Sequence, residues 1–410
     1  MNNVVRQLVY FSPFVFPLYF FRMEFFGIPF TFLEVYVYFT FLVWLLGLRK
    51  TGFSLKRPLL FYYSAAVLLF LGVSFGILAA PAFIGLPDGS MLNAQQTALG
   101  VWKGWIVMPL FYFVVLTQSL NDSHQVEFLL RRYVYSAVLV GLLAHLLAIF
   151  GDGLTYDFRL AGFYESANYL ALYILPAITL NCVWFMRRRA FSRLQNGIDV
   201  ATLVILFYVL FFTKSYAAIL ALFGTFFLYA VTVMVRHRQQ SKKAFAGVVA
   251  LVAIFVLIVA SQVHSLKFKQ FLDTENRSST TVRFEIYQIG WHLIKTHPLL
   301  GVGPGLFQAN YQVSARDVLG HDPMEWNVPH PHNIFFAFWL NAGVLGLLSF
   351  LLLFVLAHYR FTYPLLAFWS VVLHGFFDTP FWKNDLAMVF WLIVGAILLS
   401  QLNQKGNAQK

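Results

Sequence analysis

The feature that most limits how this chain can fold is the recurrence of apolar runs long enough to cross a bilayer. Twelve of them, at about 8–21, 27–47, 58–81, 98–117, 130–150, 167–186, 198–213, 215–236, 244–262, 333–357, 361–377 and 384–402, hold few charges. A helix needs roughly 20 residues to span the hydrocarbon core, and it satisfies its backbone hydrogen bonds within itself. Strands of an outer-membrane barrel would instead alternate over about ten residues. Charged residues make up only 11% of the chain, against about 25% in soluble domains. The expectation is an all-α integral membrane protein of about 12 transmembrane helices, one polytopic domain over residues 1–410. The first run follows Arg6, lacks a small-residue cleavage site and leads directly into Arg22 and Glu24. It therefore reads as a retained helix and not as a signal peptide.

In such a chain the net charge of +12 does not point to nucleic acid. Basic residues beside apolar spans report orientation and contact with anionic lipid in the bilayer. One alternate set of connections carries Arg49, Lys50, Lys56 and Arg57, then Arg131 and Arg132, then Arg187, Arg188, Arg189 and Arg193, then Arg236, Arg238, Lys242 and Lys243. The other short connections carry only Arg22, Arg159, Lys214 and Lys383. Short loops rich in Lys and Arg stay cytoplasmic. Both termini are expected inside and the long segment 263–332 outside, away from ATP and other cytosolic cofactors. The single cysteine, Cys182, excludes an intramolecular disulfide and a thiolate metal site.

That outer segment is the long polar stretch of the chain. From Val282 to Thr296 apolar residues recur at helical spacing, with Arg283, Glu285, Gln288, His292 and Lys295 largely on the other side. This predicts an amphipathic helix at the outer interface, with Glu285 and Lys295 on its solvated face. Gly301, Gly303 and Gly305 around Pro304 then force a turn.

Several side chains here can do chemistry. His332 stands where the loop re-enters the apolar run, and a neutral imidazole takes a proton near physiological pH. Asn333 either caps the following helix or holds the imidazole tautomer. Arg283 is a diphosphate ligand by virtue of its bidentate fork, or a solvated residue on an interfacial helix. Arg159 and Lys214 each read as an anion ligand or an interface anchor. Lys103, inside an apolar run, faces a cavity or reaches an interface. His374, Asp378, Lys383 and Asp385 gather at the last outer turn, where they close the cavity or Asp378 pairs with a basic residue. His264, His292, His297, His321 and His330 match no metal-ligand spacing with His332, so no metal is expected.

The run His332-Asn333, nine residues, Gly343, two residues, Gly346 resembles the O-antigen ligase/polymerase family. Arg283, the His-Pro-Leu-Leu-Gly-Val-Gly-Pro-Gly stretch at 297–305, and Arg159-Leu-Ala-Gly-Phe with Asn168 look like the same family. The resemblance implies a membrane-embedded GT-C-like fold in the bacterial cytoplasmic (inner) membrane. It also implies transfer of a glycan from undecaprenyl diphosphate to an acceptor hydroxyl, without metal, nucleotide sugar or other cofactor. It makes His332 the catalytic base and assigns the diphosphate to Arg283 and Arg159, with Lys214, His330 and Asn333 at the donor site. One departure matters: where many members carry Ser-Arg, this chain has Lys214-Ser215-Tyr216. The acceptor stays open among lipid A core, a growing glycan and a protein hydroxyl. A lipid-linked glycan transporter is the rival class, for which pseudo-symmetric halves would be expected.

Overall fold

A computed structural model describes residues 2–25, 28–53, 57–187, 193–236, 241–263 and 277–407. Lys56, Arg188, Arg189, Arg238, His264, Lys267 and Lys269 lie outside them, as does residues 264–276 of the expected outer loop. The chain is almost wholly helical, with two short antiparallel hairpins, Arg22–Phe25 with Ile28–Thr31 and Phe83–Gly85 with Met91–Asn93. The twelve apolar runs fall mostly on helices among the described residues, although the run at 27–47 opens in the strand Ile28–Thr31 and that at 8–21 passes from Asn2–Val15 into the short helix Phe16–Phe20. Among the described residues, eight helices are long and apolar enough to cross a membrane. Phe32–Leu48 and Pro364–His374 are apolar but shorter, and a helix rises only 1.5 Å per residue. The fold is that of a multi-pass helical membrane protein.

Two helices form the centre of the bundle. Asn384–Gln404 has 94% of its most apolar window buried and Ala167–Met186 has 83%. They pack with Trp391, Tyr133, Tyr173 and Phe113 in one continuous core. Lipid removes the hydrophobic drive between helices, so close packing must hold them together. Gly72 illustrates it: a Cβ there would meet the Ala342 carbonyl oxygen, so only glycine lets Arg57–Ala79 lie so close on Ile334–His358.

The helix Ile334–His358 breaks at Gly343, whose φ is +63° and ψ −163°. A broken helix inside a membrane must find new partners for its freed backbone groups. The glycine turn supplies them. Val302 N donates to Leu340 O (2.8 Å) and Val344 N to Leu299 O (3.0 Å). Trp339 Nε1 donates to Pro298 O (2.7 Å) and Gly305 N to Asn341 Oδ1 (2.8 Å). A side chain at Gly343 would strike the Leu299 carbonyl. The distant motifs 297–305 and 333–346 are therefore one structural unit.

The amphipathic helix is present as Ser279–Thr296, started by a Ser278–Thr281 capping box. Ile286, Ile289 and Leu293 pack on Phe307 and Tyr311 of the helix Phe307–Leu319, forming a small second core. Glu285 departs from expectation. It is 7% exposed and accepts from Met324 N at 2.8 Å, so it ties the returning chain to the helix instead of facing solvent.

Candidate active site

Three connections at one end of the bundle bring cations together. Arg159 lies in the segment between Ser123–Ile149 and Ala167–Met186. Its Nε donates to Thr213 O (2.8 Å) and its Nη2 to Asn168 Oδ1 (2.6 Å). Burial pulls its guanidinium pKa down, partly offset by Asp157, yet an arginine stays charged. Arg283, one turn into Ser279–Thr296, donates from Nε to Phe377 O (3.2 Å) and from Nη1 to Ser279 O (3.3 Å). Lys214 occupies the turn between Arg193–Thr213 and Tyr216–Arg236.

Arg159, Asn168, Lys214, Ser215, Ser279 and Arg283 line one cavity. Arg159, Asn168, Ser279, Arg283 and His332 line an adjoining one of about 410 Å³. The first turns of three helices, beginning at Ala167, Tyr216 and Ser279, border these spaces. Helix N-termini present N–H groups and partial positive charge, which suits phosphate oxygens. The Ser215 hydroxyl is buried there without a hydrogen-bond partner among the described residues.

The imidazole sits beside this cradle. His332 Nδ1 lies 3.3 Å from Asp378 Oδ1, and His330 Nε2 lies 3.4 Å from the same oxygen. His330 Nδ1 is 3.1 Å from the Tyr169 hydroxyl. The two rings are 4.6 Å apart between centroids. His330 thus commits both nitrogens to the protein, whereas among the described residues His332 commits only Nδ1. Burial alone would raise the Asp378 carboxyl, but the His332 and His330 imidazoles outweigh it and hold it well below the usual carboxylate range. Burial pulls His332 below the ordinary imidazole value, and Asp378 offsets only part of that. Near neutral pH the pair is a carboxylate beside a neutral imidazole, whose Nδ1 faces the carboxylate at 3.3 Å.

Backbone strain marks the same place. Phe158, Lys214 and His332 are the non-glycine residues with positive φ among those described, at 56°, 47° and 47°. Such residues cost about 1–3 kcal/mol each and collect at functional sites. His332 is held from both sides: the Tyr287 hydroxyl donates to its carbonyl (3.0 Å) and to Phe376 O (3.1 Å), and Ile334 N donates to Gly375 O (2.6 Å).

A second polar cavity, about 570 Å³, opens on the other side of His330. Tyr169, Lys383, Trp105, Gln308, Lys103 and Glu34 are among its walls, and Glu165 borders both this cavity and the His332 one. Lys103 reaches neither water alone nor lipid: it pairs with Glu34 at 3.3 Å, within a π-helical turn, Trp102–Val107. Such turns are frequent at functional sites. Lys383, 7% exposed, pairs with Glu165 (3.7 Å) and lies over the Tyr169 ring (3.9 Å).

Arg159 and Arg283 line both adjoining cavities, Lys214 only the first and His332 only the second. Asn333 is the helix cap, accepting from Phe335 N and Phe336 N; the residue that faces the His332 ring is Asp378. His330 lines the second cavity and not the arginine-lined pair. The sequence offered Asp378 only as a partner for some basic residue or a part of the cavity wall, and did not single out Tyr169. The one signal for Asp378 was an acidic residue at an outer turn beside a buried-looking histidine. His330, His332 and Asp378 also offer three ligand atoms within 4.8 Å of one another, a spacing that admits a divalent ion.

No curated protein matches the chain. Residues 201–351 match a family described as O-antigen ligase, a segment that holds Lys214, Arg283, His330, His332 and Asn333 while Arg159 and Asp378 come from outside it. That match covers 151 of the 410 residues and is to the family that the motifs around His332 and Arg283 resemble.

Proposed function

We propose that this protein is an inverting glycosyltransferase of the inner membrane. It moves a glycan from undecaprenyl diphosphate to an acceptor hydroxyl at the periplasmic face, without a metal ion. The observation that carries this reading is that His332, Arg283 and Arg159 line one cavity. The loop 263–332 faces the periplasm and both termini the cytoplasm, in keeping with the basic connections at the opposite end.

The chemistry follows from what each group is able to do. The diphosphate is a stable leaving group, so the protein must neutralise charge growing on the bridging oxygen, align the acceptor and accept one proton. Arg283, Arg159 and Lys214, with the three helix N-termini, take the first task. The acceptor oxygen attacks the anomeric carbon in line as the bond to the diphosphate oxygen breaks. Its proton passes to Nε2 of His332, and Asp378 stabilises the imidazolium that forms. The second cavity gives the acceptor a polar chamber beside the base. Cations already stand where a metal would otherwise offset the diphosphate charge, and Asp378 contacts both imidazoles while Tyr169 engages His330.

The direct test is incubation of the purified protein with a defined lipid-linked oligosaccharide and, separately, lipid A core, an oligosaccharide and a Ser/Thr peptide. One acceptor should gain sugar, at the same rate in EDTA. Sugar gained by none would end the transferase reading. Activity lost in EDTA and restored by a divalent ion would give the His330–His332–Asp378 cluster to a metal.

The histidine–aspartate contact makes a second prediction, about pH. A base works only when deprotonated, so kcat/KM should be full above the His332 pKa and fall as pH drops through it. Burial lowers that pKa, placing the acid limb below the ordinary value of about 6.5. Asp378→Asn removes a negative charge, so the limb should move lower still. The rate should fall by up to about 10,000-fold, the loss seen when an orienting carboxylate is neutralised in a serine protease. An unshifted limb would mean that Asp378 does not act on His332.

A further inference from the structure

We propose that His330, His332 and Asp378 form an inhibitory site for a late first-row divalent cation such as Zn2+. The inhibition rests on the general-base reading above, while the binding rests on geometry. His332 Nδ1 and His330 Nε2 approach the same oxygen, Asp378 Oδ1, at 3.3 and 3.4 Å. Zn2+ takes imidazole nitrogen and carboxylate oxygen at about 2.0–2.2 Å in a tetrahedron, whose ligand atoms then stand roughly 3.3–3.6 Å apart. The cluster therefore already holds two edges of that tetrahedron. One ligand atom from each of the three residues lies within 4.8 Å of the others. A donor set rich in imidazole suits Zn2+ and its neighbours in the series, whereas Mg2+ and Ca2+ want oxygen throughout.

The surroundings fit an ion as well. Asp378 is 1% exposed. Its Oδ2 and His332 Nδ1 are buried without a hydrogen-bond partner among the described residues, so the Nδ1 approach to Asp378 is a charge contact that an ion can replace. His330 has its other nitrogen 3.1 Å from the Tyr169 hydroxyl, the kind of contact that orients the ring of a metal-bound histidine. His332 borders one polar cavity and His330 the other, which gives an ion a way in and a water for its fourth position.

Inhibition follows from proton bookkeeping on the ring. A neutral imidazole carries one N–H. With the metal on the Nδ1 lone pair, that proton must sit on Nε2, the atom that would take the acceptor's proton. The base is then switched off in place. Arg159 and Arg283 line the His332 cavity and repel a dication, so all three ligands are needed to hold it.

In equilibrium dialysis, chelator-stripped protein should bind a Zn2+ that His330→Ala no longer binds. Co2+ in its place should show the intense visible absorption of a tetrahedral site. Saturating Zn2+ should cut transfer by about 100-fold or more, as loss of the base would; EDTA should restore it, and Mg2+ at the same concentration should leave it alone. Tyr169→Phe keeps the ring and loses only the hydroxyl, so Zn2+ affinity should drop by about 10- to 100-fold. Each variant is compared with its own metal-free rate. Wild-type affinity in both variants, or no Zn2+ bound by the wild-type protein, would overturn the site. Zn2+ held by the cluster with transfer undiminished would overturn the inhibition. Dialysis uses neither donor nor acceptor, so failure of the transferase reading would leave the binding result standing.

Discussion

Replacing His332 with alanine should cut glycan transfer by about 100- to 10,000-fold, the usual contribution of a positioned general base. The protein should still fold and still bind polyprenyl diphosphate. His332 is only partly exposed, but its backbone and not its ring carries the local structure. Tyr287 holds its carbonyl and Asn333 caps the next helix. Alanine keeps all of that and removes the basic nitrogen. The loss should fall on kcat, because the imidazole acts on the acceptor proton as it leaves and does little for ground-state binding. His330→Ala is the instructive companion. With both its nitrogens engaged by Tyr169 and Asp378, His330 supports the dyad, so its loss should be smaller. Transfer by purified His332→Ala at the wild-type rate would remove the base from the mechanism.

The contrast between these two histidines shows how much the sequence carries. The helices were legible because spanning a bilayer imposes a length and a composition that nothing else in the chain imitates. His332 was legible from its place at a polar-to-apolar boundary. Asp378 was not: 46 residues separate it from His332, and a lone carboxylate at a turn has no periodicity to betray it. Asn333 shows the converse. Beside the histidine it invites a functional role, and its side chain instead satisfies helix N–H groups, the commonest use of asparagine there. Glu285 erred in the same direction, since helical periodicity assigns a face without knowing that the chain returns at Met324 to cover it. The glycine turn was visible as a turn, but its purpose depended on a break at Gly343 that only three-dimensional packing reveals.

Arg283→Lys should lower kcat/KM by about 100- to 1,000-fold, comparable to removing one preorganised donor from an oxyanion site. The substitution keeps the charge, so any loss reports geometry. Arg283 uses Nε on Phe377 O and Nη1 on Ser279 O, which fixes the guanidinium plane in the wall it shares with Arg159. An ammonium has three donors on one atom and cannot both hold those carbonyls and reach a phosphate oxygen in a defined plane. Arg316→Lys is the control, because Arg316 sits on the exposed face of the helix Phe307–Leu319, paired with Asp322 (2.5 Å). It should transfer at the wild-type rate. A rise in donor KM with kcat intact would assign Arg283 to ground-state binding alone. A fall in kcat as well would mean that its hold tightens as the diphosphate departs, which is what a leaving-group clamp requires. Full activity in Arg283→Lys would leave Arg159 and Lys214 as the diphosphate ligands and remove the outer helix from the chemistry.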